Sequence, residues 1–169
     1  MKKIFITGVL IFTGYISFSQ QATPAPVYPK IVGYVSFLHP IITFDKNGNT
    51  VNFSDYYTVA FPIGINIIKS AKIGFSFEVA PFIRSQNDTV KVSSILFHPG
   101  IIYKFNPALS FATRIAFETN GRFGFTPILN KVVIKEKNVS YFTAVSTPVR
   151  MGNAKPASIG LAVQLGMNF

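Results

Sequence analysis

Five ionisable residues are placed where they could meet inside the fold. They are Glu78, His98, Arg114, Glu118 and Arg150. Glu78, His98 and Arg114 each lie about six or seven residues from a short turn, so neighbouring strands would bring them to a similar depth. Because an unpaired buried charge is costly and pairing is the usual remedy, we expect an interior charge network. The same groups could form a proton or solute gate, but a network that packs the interior is the favoured interpretation.

The two histidines and Ser94 are the other candidates for chemistry. His39 and His98 occur in the similar contexts FLHP and LFHP, but no third metal ligand is evident, so we predict no metal site. Ser94 and His98 would share one face of a strand, separated by roughly 13 Å, which is too far for a proton to pass. We therefore predict no catalytic residue, no cofactor and no enzymatic activity.

These residues must be positioned by β-strands, because the chain alternates apolar with small or polar residues from Lys30 onward. Residues 57–67, YTVAFPIGINI, have an apolar or aromatic side chain at every odd position. Comparable alternation follows in KIGFSFEVAPFIR, SSILFHPGIIYKF, LSFATRIAFE, SYFTAVSTPVR and GLAVQLGMNF. With less regular strands near 31–44 and 123–134, whose faces we do not assign, the sequence predicts eight strands. Alternating segments of about ten residues joined by turns are typical of a membrane-spanning barrel.

The charged residues share one side of the alternation. They are Glu78, Arg84, His98, Lys104, Arg114, Glu118 and Arg150. Eight stripes of bulky apolar residues exceed the space inside an eight-stranded barrel, and water tolerates only a few hundred Å² of contiguous apolar surface. Lipid alone can receive such stripes. The predicted fold is therefore all-β, an eight-stranded antiparallel up-and-down transmembrane β-barrel whose last strand pairs with its first.

Composition and the N-terminal residues predict export. The 169 residues are 49% apolar and only 13% charged, with a net charge of +10 and no cysteine, which excludes disulfides. Lys2 and Lys3 precede a short apolar run, and Ser17 and Ser19 offer small residues at a cleavage site. We predict a signal peptide over 1–20, a Pro-rich periplasmic lead-in over 21–29 and the barrel over 30–169. Export also argues against nucleic acid as the partner of the basic charge.

The turns predict the orientation in the membrane. KSAK, NPA and KEKN are tight, whereas FDKNGNTVNFSD and RSQNDTVKV are longer and polar, which matches short periplasmic turns and longer outer loops. Near the inner rim we expect a group of lysines: Lys69, Lys72, Lys104, Lys135 and Lys137. At the outer rim a second basic group could meet lipopolysaccharide phosphates: Arg84, Lys91, Arg122 and Lys155.

Six prolines oppose the barrel prediction. Pro40, Pro62, Pro81, Pro99, Pro127 and Pro148 fall within predicted strands. Proline cannot donate to a β-ladder, and a closed sheet has no edge on which to place it. We expect these residues to mark bulges or breaks.

The signal over Lys2 to Ser19, the two-residue alternation and the terminal VQLGMNF together resemble one known family. The sequence is similar to the small eight-stranded outer-membrane β-barrels, the OmpA-like transmembrane barrel group. The resemblance implies an outer-membrane location in a Gram-negative envelope. It also implies that Val163, Leu165, Met167 and Phe169 form the signal read by the barrel-assembly machinery.

Together these inferences predict an integral outer-membrane β-barrel protein with a structural or surface-interaction role and a packed, non-conducting interior. The expected partners are outer-membrane lipids, lipopolysaccharide and the barrel-assembly machinery, with a monomer favoured and no nucleic acid. Two alternatives stay open. One is a narrow channel for small solutes, and the other is a secreted soluble β-barrel that binds a lipophilic ligand.

Overall fold

The computed structural model describes residues 27–169, which form strands joined by turns. The strands are β1 Lys30–Asp45, β2 Gly48–Val51, β3 Tyr57–Ala60, β4 Ile63–Ile68, β5 Ile73–Gln86, β6 Thr89–Lys104, β7 Leu109–Glu118, β8 Phe123–Lys135, β9 Ser140–Ser146, β10 Val149–Met151 and β11 Ser158–Asn168. The predicted signal peptide over 1–20 and most of the lead-in over 21–29 lie outside the described residues and stay predictions. No helix within residues 27–169 is long and apolar enough to cross a membrane.

All neighbouring strands are antiparallel, and the sheet closes because β1 pairs with β4 on one side and with β11 on the other. The eleven segments fill eight strand positions. β3 and β4 share the position between β1 and β5, while β9 and β10 share the position between β8 and β11. β2 forms an additional hairpin with the end of β1. The prediction of an eight-stranded antiparallel up-and-down barrel is confirmed.

The hydrogen-bonded register fixes the tilt of the strands. A path along paired residues that starts at Lys30 and runs through β4, β5, β6, β7, β8, β9 and β11 returns to β1 at Pro40. The offset between Lys30 and Pro40 gives a shear of ten residues for eight strand positions. Strands must tilt to close with such a stagger, and a barrel of this strand number is narrow enough for side chains to fill.

The side chains divide cleanly between the two faces of the wall. Phe61, Phe75 and Leu165 lie on the outside, where Leu165 is 60% exposed, whereas Arg114 points inward and is 7% exposed. The interior is lined with small residues at crowded positions, such as Ala116, which is completely buried. The apolar residues therefore form an outer belt, the reverse of a water-soluble barrel.

Each proline that interrupts a strand position removes one ladder hydrogen bond and keeps the other. Pro62 separates β3 from β4, and its carbonyl still accepts a bond from the Ser36 amide at 2.9 Å. Pro148 separates β9 from β10, and its carbonyl accepts from the Gly160 amide at 2.8 Å. Proline lacks only the donor, so the wall loses half of a paired interaction at each position.

Pro81 and Pro127 lie on the strands next to these two breaks. The carbonyl of Pro81 accepts from the Phe61 amide at 3.2 Å, and that of Pro127 accepts from the Thr147 amide at 3.1 Å. The N–H and C=O of a strand residue point to the same neighbouring strand, and these four carbonyls bond across four different strand interfaces. No interface therefore loses more than one of these four donors.

Bulges explain why two strands look irregular in sequence. The register of β1 shifts between Pro40 and Ile42, and the register of β8 shifts between Val132 and Ile134. A bulge adds one residue and moves the following side chains to the opposite parity. The strands whose faces the sequence left unassigned, 31–44 and 123–134, are the two that contain these shifts. Pro40 thus marks a bulge, as expected.

The two ends of the barrel differ in their connections. We call the end that holds Lys30 and the turns 69–72, 105–108 and 136–139 the terminal rim, and the opposite end the distal rim. The lysines expected to gather at one rim are carried by these turns and the adjoining strand ends.

At the distal rim the stretch RSQNDTVKV differs from the predicted long loop. β5 and β6 continue to a two-residue turn at Asn87 and Asp88, which adopt positive φ angles of 50° and 57°. Asn and Asp tolerate this conformation, so the two strands stay paired up to a tight turn instead of ending in a loop.

The crowded interior predicts that one enlarged side chain destabilises the barrel. Ala116 packs with Ala80 and Leu96 in a buried cluster, and Ala116→Leu should lower the free energy of unfolding by about 1–3 kcal/mol because the wall cannot make room. Urea unfolding of protein folded into lipid vesicles would measure the change. The matched control is Ile115→Leu, next along the strand but outside the barrel. Equal stability of the two variants would contradict the interior packing.

Candidate functional site

Glu78 is the centre of a hydrogen-bonded group inside the barrel. It lies on β5 and is only 2% exposed. Its Oε2 accepts hydrogen bonds from the Tyr34 hydroxyl and from Nη1 of Arg114, both at 2.8 Å. Its Oε1 lies 2.9 Å from Nδ1 of His98. Both carboxylate oxygens are therefore satisfied, which is what makes a buried charge tolerable.

Register explains how His98 and Tyr34 reach Glu78. His98 is the direct cross-strand partner of Glu78 in the β5–β6 ladder. Tyr34 is two strand positions away, with Gly64 of β4 between it and Glu78 in the same row. A Cβ on Gly64 would meet Cζ and the hydroxyl of Tyr34 at 2.5 Å, so the absence of a side chain lets Tyr34 cross the strand.

Arg114 crosses a strand by the same means. Gly100 lies between Ser76 and Arg114 in one row of paired residues. Nε of Arg114 donates to the Ser76 hydroxyl at 3.1 Å over the top of this glycine. A Cβ on Gly100 would overlap the Arg114 side chain. Gly64 and Gly100 thus leave space on the inner face of the wall, and long side chains pass over them to reach the centre.

The group continues from His98 toward the distal rim. Nε2 of His98 lies 3.0 Å from the Thr126 hydroxyl, which also accepts from Nη1 of Arg150 at 3.0 Å. Nε of Arg150 donates to Oε1 of Glu118 at 2.7 Å, and Oε2 of Glu118 accepts from Asn120 at 2.9 Å. Because Thr126 already accepts from Arg150, its hydroxyl hydrogen is free to donate to His98. A neutral His98 that donates from Nδ1 to Glu78 satisfies every partner.

The structure brings all five residues of the expected network into one chain of contacts. With His98 neutral, two carboxylates and two guanidinium groups balance, so the group carries no net charge. Sequence reasoning missed Tyr34, Ser76 and Thr126. Ser76 lies on the polar side of a strand whose faces were assigned from the sequence, whereas Thr126 lies within 123–134, whose faces were not. The spacing of Gly64 and Gly100 was the available signal for Tyr34 and Ser76.

The network lies between two cavities of the lumen. The terminal cavity, of about 280 Å³, reaches Tyr34 and Arg114, and the distal cavity, of about 270 Å³, reaches Glu118 and Arg150. The two cavities share no lining residue. Glu78, His98 and Thr126 connect Arg114, beside the terminal cavity, to Arg150, beside the distal cavity.

The other candidates for chemistry are held apart. His39 faces outward, where its ring lies 5.5 Å from that of Phe53 and 5.6 Å from that of Tyr57, measured between ring centroids. His39 and His98 are thus on opposite faces of the wall, and residues 27–169 contain no group of three or more side chains able to hold a metal ion. Ser94 lines the distal cavity, while both ring nitrogens of His98 are engaged by Glu78 and Thr126.

The residues predicted as an assembly signal share the outer face of β11. Val163, Leu165, Met167 and Phe169 are all exposed on the outside. The backbone of Phe169 exchanges two hydrogen bonds with Gly33, at 3.0 and 2.9 Å. A Cβ on Gly33 would meet the Phe169 ring at 2.6 Å, so the ring covers this glycine. The signal residues therefore lie on the seam that closes the barrel.

Comparison with known proteins gives structural similarity without sequence similarity. No family model and no curated protein matches the sequence. One similar solved structure, described as "De novo design of transmembrane beta-barrels", has a TM-score of 0.47 and 11% identity, covering 85% of this chain and 98% of that chain. Another, "Solution NMR structure of de novo designed TMB2.3", has a TM-score of 0.46 and 13% identity, covering 89% of this chain and 97% of that chain.

A double-mutant cycle should detect strong coupling between Glu78 and Arg114. Glu78→Leu leaves Arg114 buried without its carboxylate, so we expect a loss of about 3–5 kcal/mol in the free energy of unfolding. Glu78→Leu combined with Arg114→Met should cost less than the sum of the single changes, because no charge is then left unpaired. Urea unfolding would measure all four proteins.

The control for this cycle is Glu136→Leu, which removes a carboxylate from an exposed turn at the terminal rim. Its stability should stay within about 0.5 kcal/mol of the parent. Additive effects of the Glu78 and Arg114 changes would show that the two side chains do not stabilise each other.

Proposed function

We propose that this chain is an integral outer-membrane β-barrel protein of the OmpA-like group. Its role is structural or one of surface interaction, its lumen is closed, and it is not an enzyme. The observation that carries the proposal is the reversal of polarity across a closed wall. The outside is an apolar belt, and the inside holds a satisfied charge network.

The apolar belt supports a membrane location. Outward residues along every strand position include Phe75, Phe77, Ile115, Leu129 and Leu165, all at least one third exposed. A belt of this size in water would far exceed the patch that soluble proteins tolerate, and lipid removes that cost. A soluble barrel that binds a lipophile would need the opposite arrangement, with an apolar lumen.

Two features support the proposed orientation and partners. Three connections at the terminal rim contain four residues each, which fits a periplasmic side, and the tall hairpins of the distal rim would face outward. The distal rim also carries Arg84, Lys91, Arg122 and Lys155, which fit the phosphates of lipopolysaccharide. The exposed row on β11 fits recognition by the barrel-assembly machinery, and the closed seam between β1 and β11 is consistent with a monomer.

Gel migration tests the membrane barrel directly. Protein extracted in mild detergent should run as a compact species without heating and shift to a slower position after boiling, because a closed sheet resists detergent until heated. The companion measurement is extraction of cells with high salt and no detergent. One species at both temperatures, or release into the salt wash, would reject the proposal in favour of a soluble barrel.

Planar-bilayer recording tests the closed lumen. The parent protein should give no unitary conductance, because the network around Glu78 divides the two cavities. Glu78→Ala combined with Arg114→Ala removes two long side chains at that level, and any conductance should appear in this variant first. Steady conductance of the parent would support the alternative of a narrow solute channel.

A further inference from the structure

We propose that the distal cavity binds an oxyanion of the phosphate type, either free in solution or carried by a lipid headgroup. The cavity lies above the charge network and opens toward the distal rim. Only the source of the anion depends on the proposed orientation in the membrane. The site itself rests on the side chains that line the cavity.

The charge of the distal cavity is unbalanced. Arg84, Arg122, Arg150 and Lys155 line it, and Glu118 is the only carboxylate among its lining residues. Glu118 is bonded to Arg150 at 2.7 Å. Within residues 27–169, no Asp or Glu oxygen lies within 4.0 Å of the other three basic groups. Three positive charges therefore face one cavity without a counter-charge.

Arg122 is held in place by neutral groups. Its Nη2 donates to the carbonyl oxygens of Arg150 at 3.1 Å and Pro156 at 3.0 Å, and to the Ser158 hydroxyl at 3.0 Å. Its Nε is buried without a partner. These contacts fix the guanidinium but leave its charge in place. Placing the group beside Arg150 has an electrostatic cost, which an anion would remove.

Arg84 lines the same cavity from β5 and also contacts neutral groups. Its guanidinium carbon lies 4.1 Å from the centroid of the Tyr56 ring, and its Nε donates to the Thr58 hydroxyl at 3.4 Å. A guanidinium presents planar pairs of donors that match phosphate and carboxylate oxygens. Two such groups held in advance would bind an oxyanion with little further loss of side-chain freedom.

The terminal cavity offers a useful contrast. Its basic residues are Lys30, Lys104, Lys135 and Arg114, and Arg114 is already bonded to Glu78. The lysines are long, flexible side chains at or near the rim, and their ammonium groups are point charges without a planar pair of donors. Positive charge is therefore present at both ends of the lumen, but guanidinium groups fixed without a counter-charge occur at the distal end.

Calorimetric titration with pyrophosphate tests the site on the full-length folded protein in neutral detergent. The titration should show saturable binding at one site, at constant ionic strength against sodium chloride. Arg84→Gln combined with Lys155→Gln should weaken binding at least tenfold. Lys46→Gln removes an exposed basic residue of the β1–β2 turn that does not line the cavity, and it should change affinity less than twofold. The heat-dependent gel shift of each variant would verify that it is folded.

A third variant separates charge from geometry. Arg122→Lys keeps the positive charge but loses the planar pair of donors. It should therefore lower the affinity for pyrophosphate more than the affinity for chloride. Should this change prevent folding, the Arg84 and Lys155 pair still decides the question. Absence of saturable binding, or equal weakening by Lys46→Gln, would overturn the site without affecting the membrane-barrel proposal.

Nanodiscs distinguish the two sources of the anion. Pyrophosphate affinity is measured in discs of zwitterionic lipid and in discs that also contain phosphatidic acid. Lower apparent affinity in the second, abolished by the Arg84 and Lys155 changes, would identify the lipid headgroup as a competitor for the cavity. Unchanged affinity would assign the site to a free anion. Binding in neither disc would refute the proposal.

Discussion

Everything in this barrel depends on pairing the backbone inside a wall whose outer face is apolar. An N–H or C=O turned toward hydrocarbon without a partner costs several kcal/mol, so a membrane-facing sheet has no tolerance for a free edge. The seam between β1 and β11, ending at the reciprocal bonds of Gly33 and Phe169, removes that edge. The prolines show how far the rule can bend. At Pro62, Pro81, Pro127 and Pro148 the carbonyl still accepts a bond, so the wall gives up single bonds rather than whole rows.

Closing the wall forces polar chemistry inward. Once the large apolar side chains occupy the outside, the residues of opposite parity must fill a narrow lumen. That lumen then needs small residues near the wall and long residues that reach the axis. Gly64 and Gly100 reconcile these needs, because each lets a neighbouring side chain pass over its strand. Tyr34 and Arg114 converge on Glu78 through these openings. The charges are thereby paired at the depth where water is least available.

Features of the fold that depend only on neighbouring residues in the sequence could be predicted, whereas features that depend on the pairing of distant strands were harder to predict. Parity is local, so the outward position of Phe75 and the inward position of Glu78 could be predicted from neighbouring residues alone. The partners of Glu78 depend on register. Glu78, His98 and Arg114 lie at similar distances from the four-residue turns, so their common depth could be predicted from the sequence. Tyr34 was missed because the bulge after Pro40 changes the parity of β1 within one strand. The height of the β5–β6 hairpin was missed because Asn87 and Asp88 look like loop residues until their left-handed conformation is known.

Charge is distributed differently at the centre of the lumen and at its distal end. In the network, the carboxylates of Glu78 and Glu118 are paired with guanidinium groups, so with His98 neutral the group carries no net charge. At the distal end, Arg84 and Arg122 are fixed by a ring, hydroxyls and carbonyls that leave their charge intact. A low-dielectric wall concentrates such a field instead of dispersing it. The proposed closed lumen rests on the paired charges at the centre, and the proposed anion site rests on the positive charge that has no counter-charge at the distal end.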